Sequence, residues 1–197
     1  MADGYLTIAA PSRARFTEKM SRFLAFASPA ETVEEAKDFV AGLQKEFFDA
    51  RHVCWAWVIG AENPVSYSND NGEPSGTAGK PILGQINSKE LRNVVVAVVR
   101  YFGGIKLGTP GLIAAYRESA RLCLDDAEII ERHREETLTV TFPYQAMNGV
   151  MQIVKHPEVI ILDREFDNTC RLTLRSRADL IPELRSRLEK LQDTIVD

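Results

Sequence analysis

The feature that most constrains this chain is the run Val94-Val95-Val96-Ala97-Val98-Val99, apolar at every position and dominated by β-branched residues. Alternating side chains point to opposite faces of a strand, so an unbroken apolar run predicts a central strand covered on both faces. Its length is far below that of a membrane span. The run leads through Arg100, Tyr101 and Phe102 into Gly103-Gly104-Ile105-Lys106-Leu107-Gly108 and then Thr109-Pro110. Thr109 and Pro110 read as the N-cap and first position of a helix with Leu112, Tyr116, Cys123 and Ala127 on one stripe. A strand thus delivers a Gly-rich loop to a helix start, where backbone N–H groups and the helix dipole favour an anion. A tight turn explains the same glycines without any ligand, and spacing alone favours it. Neither nucleotide fingerprint is present. The glycine spacing fails the dinucleotide pattern, and Gly76-Thr77-Ala78-Gly79-Lys80-Pro81 is too short between its glycines for a P-loop.

Upstream, Lys19–Phe26 reads as a first strand, and Ser28-Pro29-Ala30-Glu31 has the spacing of a capping box opening a helix that carries Val33, Ala36, Val40, Leu43 and Phe47 and ends near Ala50. Val53–Ile59 reads as a strand beside the valine run. His52 and Cys54 would share a face of it, but no second ligand pair accompanies them, so no metal is expected. Residues Ser66 to Ile86 lack apolar periodicity and read as one long loop offering Asp70, Glu73, Ser75, Gly76, Thr77, Gly79 and Lys80.

Of 197 residues, 45% are apolar and 26% charged, which suits one or two globular domains. The N-terminal stretch lacks the apolar core of a signal peptide or anchor, so no membrane partner is expected. Three scattered cysteines, Cys54, Cys123 and Cys170, fit a reducing cytoplasm. A net charge of −4 argues against a generally basic nucleic-acid binder, yet Lys80, Lys89, Arg92, Arg100, Lys106 and Arg117 stand against Glu90 alone from residue 80 to 117. The basic segment brackets the glycine loop.

The charged stretch Arg132-His133-Arg134-Glu135-Glu136 reads as a boundary between domains at 1–131 and 132–197. Beyond it the pattern is β-α-β-β-α-β, that of a ferredoxin-like unit with both helices on one sheet face. Thr137, Thr139, Thr141, Arg171, Thr173 and Arg175 would line the other face. It lacks the aromatic pair with which RNA-recognition motifs stack bases. The expected fold class is therefore α+β.

Residues Ser68–Ile82 and Val99–Thr109 closely resemble the two signatures of the IMPACT family, which includes the bacterial YigZ proteins; Lys19–Phe23 and Ala50–Ala56 resemble its further motifs. Two positions depart from the family pattern: Asn71 replaces a usual Asp, and Pro110 a usual Gly. The resemblance implies an N-terminal domain of the ribosomal-protein and RNase PH type, and a ferredoxin-like domain similar to a late domain of elongation factor G. It implies a translation-related regulator whose partner is RNA, the ribosome or a translation-factor protein. The expected binding set is Asp70, Glu73, Ser75, Gly76, Thr77, Gly79, Lys80, Arg100, Tyr101, Gly103, Gly104, Lys106, Gly108 and Thr109, forming one basic cleft with no cofactor, metal or catalytic residue. The alternatives are an enzyme acting on a phosphorylated or nucleotide substrate there, with Asp70 or Glu73 as base, and a protein-interaction module.

Overall fold

The computed structural model describes residues 4–197. It divides into two compact units, Gly4–Arg132 and His133–Asp197.

The first unit is built on an antiparallel sheet of β2 (Ser12–Glu18), β3 (Ser21–Pro29), β4 (His52–Ile59), β5 (Val65–Asn69) and β6 (Val94–Tyr101), in the order β2-β3-β6-β4-β5. The valine run is the middle strand, and Val94–Val99 are fully buried. On one face α2 (Gly79–Ser88) and α3 (Gly108–Asp125) place Ile82, Ile86, Leu112 and Tyr116 against Phe23, Cys54, Val96 and Val98. On the other face α1 (Val33–Glu46) covers Trp57, Val95, Ala97 and Val99. Two-sided burial is why β6 carries no polar position before Arg100. A short ribbon pairs β1 (Gly4–Ile8) with β7 (Ile129–His133).

Several boundaries differ from the sequence expectation. The expected first strand is a hairpin: Lys19 and Met20, at φ 44° and 63°, turn the chain between β2 and β3. Ser28 and Pro29 end β3 instead of opening a helix. The cap of α1 is Thr32, whose hydroxyl accepts from the Glu35 N–H while the Glu35 carboxylate accepts from the Glu31 N–H. In place of one long loop there is a turn at 70–78 between β5 and α2. Edge strand β5 is hidden in the sequence because its solvated side chains leave no apolar pattern, and α2 because Pro81 and two glycines interrupt it. Pro81 sits in the first helical turn, where an N–H has no intrahelical acceptor to lose. Helix α3 starts at Gly108 with Leu107 in the cap position, so Thr109 is not the N-cap. The charged stretch at 132–136 is nearly continuous strand, because β7 runs to His133 and β8 begins at Glu135.

The second unit runs β8 (Glu135–Phe142), a 3-10 turn at Tyr144–Ala146, α4 (Met147–Val154), β9 (Ile160–Phe166), β10 (Cys170–Arg177), α5 (Ile181–Glu189) and β11 (Ile195–Val196). Its antiparallel sheet has the order β11-β8-β10-β9, the ferredoxin-like arrangement. Leu138, Val140, Phe142, Leu172 and Leu174 face Val150, Leu184 and Leu188 of the two helices. On the opposite face Thr137 pairs with Arg175, Thr139 with Thr173 and Thr141 with Arg171. Both arginines there are ion-paired, Arg171 with Glu165 at 3.8 Å and Arg175 with Glu135 at 3.2 Å.

Candidate functional site

The site grows from the end of β6. In the sheet register Arg100 lies opposite Phe23 on β3 and opposite His52 on β4, so all three side chains share the face that α2 and α3 cover. Arg100 is therefore a core residue with a charge, 7% exposed, and its partner Glu73 is 8% exposed. Arg100 Nη1 donates to Glu73 Oε1 at 2.5 Å, and the Tyr116 hydroxyl of α3 donates to the same oxygen at 2.8 Å. The guanidinium also lies 5.6 Å from the Phe23 ring and 5.7 Å from that of Phe102. Behind Tyr116 the Cys54 thiol donates to the Asp70 carbonyl at 3.0 Å. Burial pushes that thiol up to about 12, which leaves it unreactive at neutral pH.

What holds Glu73 in place is the turn at 70–78. Asn71, at φ 42°, accepts from the Val53 N–H through its side chain at 2.9 Å, and its carbonyl lies 2.7 Å from His52 Nδ1. Asn fits this left-handed position and needs no second Asp to do so. Asp70 closes the turn: its carboxylate accepts from Gly76 N–H at 2.8 Å, Ala78 N–H at 3.0 Å and Gly79 N–H at 2.8 Å. Burial alone would raise its pKa, but the N–H groups of Gly76, Gly79 and Ala78 and the charge of Lys80 outweigh it and hold the carboxyl below its ordinary value. Asp70 is thereby a cap of α2 and unsuited to act as a general base near neutral pH. Gly79 is required at that start, since a Cβ there would stand 2.7 Å from the Asn69 nitrogen.

Replacing Asp70 with alanine is expected to cost about 1–2 kcal/mol by removing this cap. Because the folded carboxyl titrates below 3.8, its contribution is complete above that pH and is lost as pH falls through the lower folded value. Acid unfolding of the parent chain should therefore contain a component that Asp70→Ala lacks. Identical acid limbs would refute the role.

A cleft of about 380 Å³ opens beside Arg100. The start of β4 contributes Arg51 and His52, the turn Glu73 and Pro74, the end of β6 and its loop Arg100, Phe102 and Lys106, and α3 contributes Leu107, Gly108, Thr109 and Leu112. Of the residues expected from sequence, Glu73, Arg100, Lys106, Gly108 and Thr109 line it. Asp70, Gly76, Thr77 and Gly79 instead build the α2 start, Thr77 donating to the Pro74 carbonyl at 2.6 Å. Ser75 is exposed on the turn and Lys80 on the first turn of α2, neither of them lining the cleft. Tyr101 faces the other side of the sheet, donating to Asp49 at 2.7 Å beneath the Arg22 guanidinium. Gly103 packs on the Met20 backbone and donates to the Ser21 hydroxyl at 3.2 Å, while Gly104, at φ +89°, has open space around it. Sequence reading misses Arg51, His52 and Phe102. The signal for His52 is its position at the start of the strand that pairs with β6.

Among the described residues no group of His, Cys, Asp and Glu could hold a metal ion, and no helix is long and apolar enough to cross a membrane.

An antiparallel five-stranded α+β unit with a Gly-loop cleft, joined in sequence to a ferredoxin-like unit, defines the class. Residues 19–124 match the family model for the Impact N-terminal domain. The chain is 39% identical to IMPACT family member YvyE of Bacillus subtilis, over 82% of this chain and 74% of that protein. To IMPACT family member YigZ of Escherichia coli it is 32% identical over 94% of this chain and 92% of that protein. A crystal structure of a hypothetical protein superposes with a TM-score of 0.77 at 30% identity, covering all of this chain and 97% of the other. The chain belongs to the IMPACT family.

Proposed function

We propose that this chain is a cytoplasmic, translation-related regulator that binds RNA phosphate through the cleft beside Arg100. The translation setting comes from the family resemblance, which associates eukaryotic members with translational control. The observation that carries RNA binding is the charge of the cleft. Its one carboxylate, Glu73, is engaged by Arg100 and Tyr116, whereas Arg51 and Lys106 are exposed and have no ion-pair partner among the described residues. A positive cleft on a chain of net charge −4 concentrates an anionic partner at one place.

The test is binding of a short single-stranded RNA by fluorescence anisotropy across a salt series. Arg51→Ala/Lys106→Ala should weaken binding and reduce the slope of log affinity against log salt by about 0.7 for each phosphate that is no longer neutralised. Unfolding should change little, because both side chains are solvated. Absence of RNA binding by the parent chain at low salt, or an unchanged slope in the double variant, would overturn the reading.

A further inference from the structure

We propose that the cleft receives the terminal phosphomonoester of a nucleotide chain, held by Arg100 at the floor and by Arg51 and Lys106 at the rim; this rests on reading the cleft as the RNA-binding site. The floor carries the argument. Arg100 is 7% exposed, yet its Nε–H has no hydrogen-bond acceptor, and Glu73 takes only its Nη1. A guanidinium has five N–H donors in a planar fork, and a buried donor without an acceptor is both costly and rare. Tetrahedral oxoanions supply acceptors in the geometry that this fork fits. Phe102, half exposed, lies 5.7 Å from the guanidinium and lines the cleft beside it.

Charge and shape select the monoester over an internal diester. Three cations, Arg51, Arg100 and Lys106, against the single carboxylate of Glu73 leave two net positive charges in the lining. A phosphomonoester carries about −1.5 to −2 at pH 7, whereas an internal diester carries one charge. The eighteen-residue helix α3 begins at the cleft, with Gly108 and Thr109 in its lining and no side chain capping its first turn, so backbone N–H groups remain for a second oxygen. The volume of about 380 Å³ is that of a small-molecule site and suits one nucleotide at a chain end. The exposed Phe102 ring in the lining offers that nucleotide's base a face to stack on.

The experiment compares three RNAs of one sequence, bearing a 5′-phosphate, a 3′-phosphate or no terminal phosphate, in competition for the full chain. One phosphorylated end should bind about tenfold more tightly than the hydroxyl form. Which end does so identifies the source of the phosphate. Lys106→Ala should weaken binding of all three RNAs and, beyond that, reduce the preference for the phosphorylated end. Arg100→Lys keeps the charge but loses the fork, and should also reduce it. Equal affinity for all three RNAs overturns the terminal-phosphate inference and leaves RNA binding standing. Uridine 5′-monophosphate and uridine, tested as thermal stabilisers, separate the other failure. Stabilisation by the monophosphate alone, with no RNA bound, supports the phosphate site and overturns RNA binding. No stabilisation and no RNA binding overturn both.

Discussion

Replacing Arg100 with alanine is expected to destabilise the chain by about 3–5 kcal/mol, because it strands the Glu73 carboxylate in the core without its counter-ion. The pair is 7% and 8% exposed, and the remaining partner, the Tyr116 hydroxyl at 2.8 Å, cannot neutralise a charge. Urea unfolding should show a lower midpoint at unchanged slope. Arg100→Met/Glu73→Leu should recover much of the stability, since an apolar pair of similar volume avoids the desolvation of two ions. A decrease below about 1 kcal/mol for Arg100→Ala would mean the pair behaves as a surface ion pair. From sequence alone Arg100 and Lys106 look alike, two cations of one loop whose joint removal would leave stability intact. The structure corrects this: only Lys106 is exposed, so a binding test must spare Arg100 or replace it conservatively.

That contrast shows where sequence is sufficient and where it is not. Elements buried on a whole face leave a trace in the sequence: the valine run of β6, the apolar run Val53–Ile59 of β4, the stripe of α3 and the β-α-β-β-α-β unit after residue 134. Elements with solvated or interrupted patterns leave none, and β5 and α2 read as loop. In the cleft, composition reveals the cations but not their burial. Arg100 is internal because the register sets it opposite Phe23 and His52, and register is a property of strand pairing that no local pattern contains. Asp70 illustrates the opposite error. A carboxylate in a polar turn looks available for chemistry, yet three backbone N–H groups occupy most of its acceptor sites. Lys80 belongs with it, its charge acting on Asp70 at the α2 start.

The two adjacent glycines of the loop, alike in sequence, should separate sharply on mutation. A Cβ on Gly103 would stand 2.0 Å from the Met20 carbonyl carbon and 2.3 Å from the Ser21 nitrogen, both backbone atoms of the β2–β3 turn that cannot move aside alone. Gly103→Ala is therefore expected to cost at least about 3 kcal/mol, the upper range for overpacking. A Cβ on Gly104 would meet nothing within 4 Å, so Gly104→Ala bears only the strain of φ +89°, about 1–2 kcal/mol. The difference reaches function because Gly103 docks the loop on the hairpin, its N–H donating to the Ser21 hydroxyl, and so sets the positions of Phe102 and Lys106 on either side of it. Gly103→Ala should lose RNA affinity even at temperatures where the chain remains folded, while Gly104→Ala should retain most of it. Equal tolerance of the two substitutions, in unfolding and in binding, would show that the loop is not held by this packing against the hairpin.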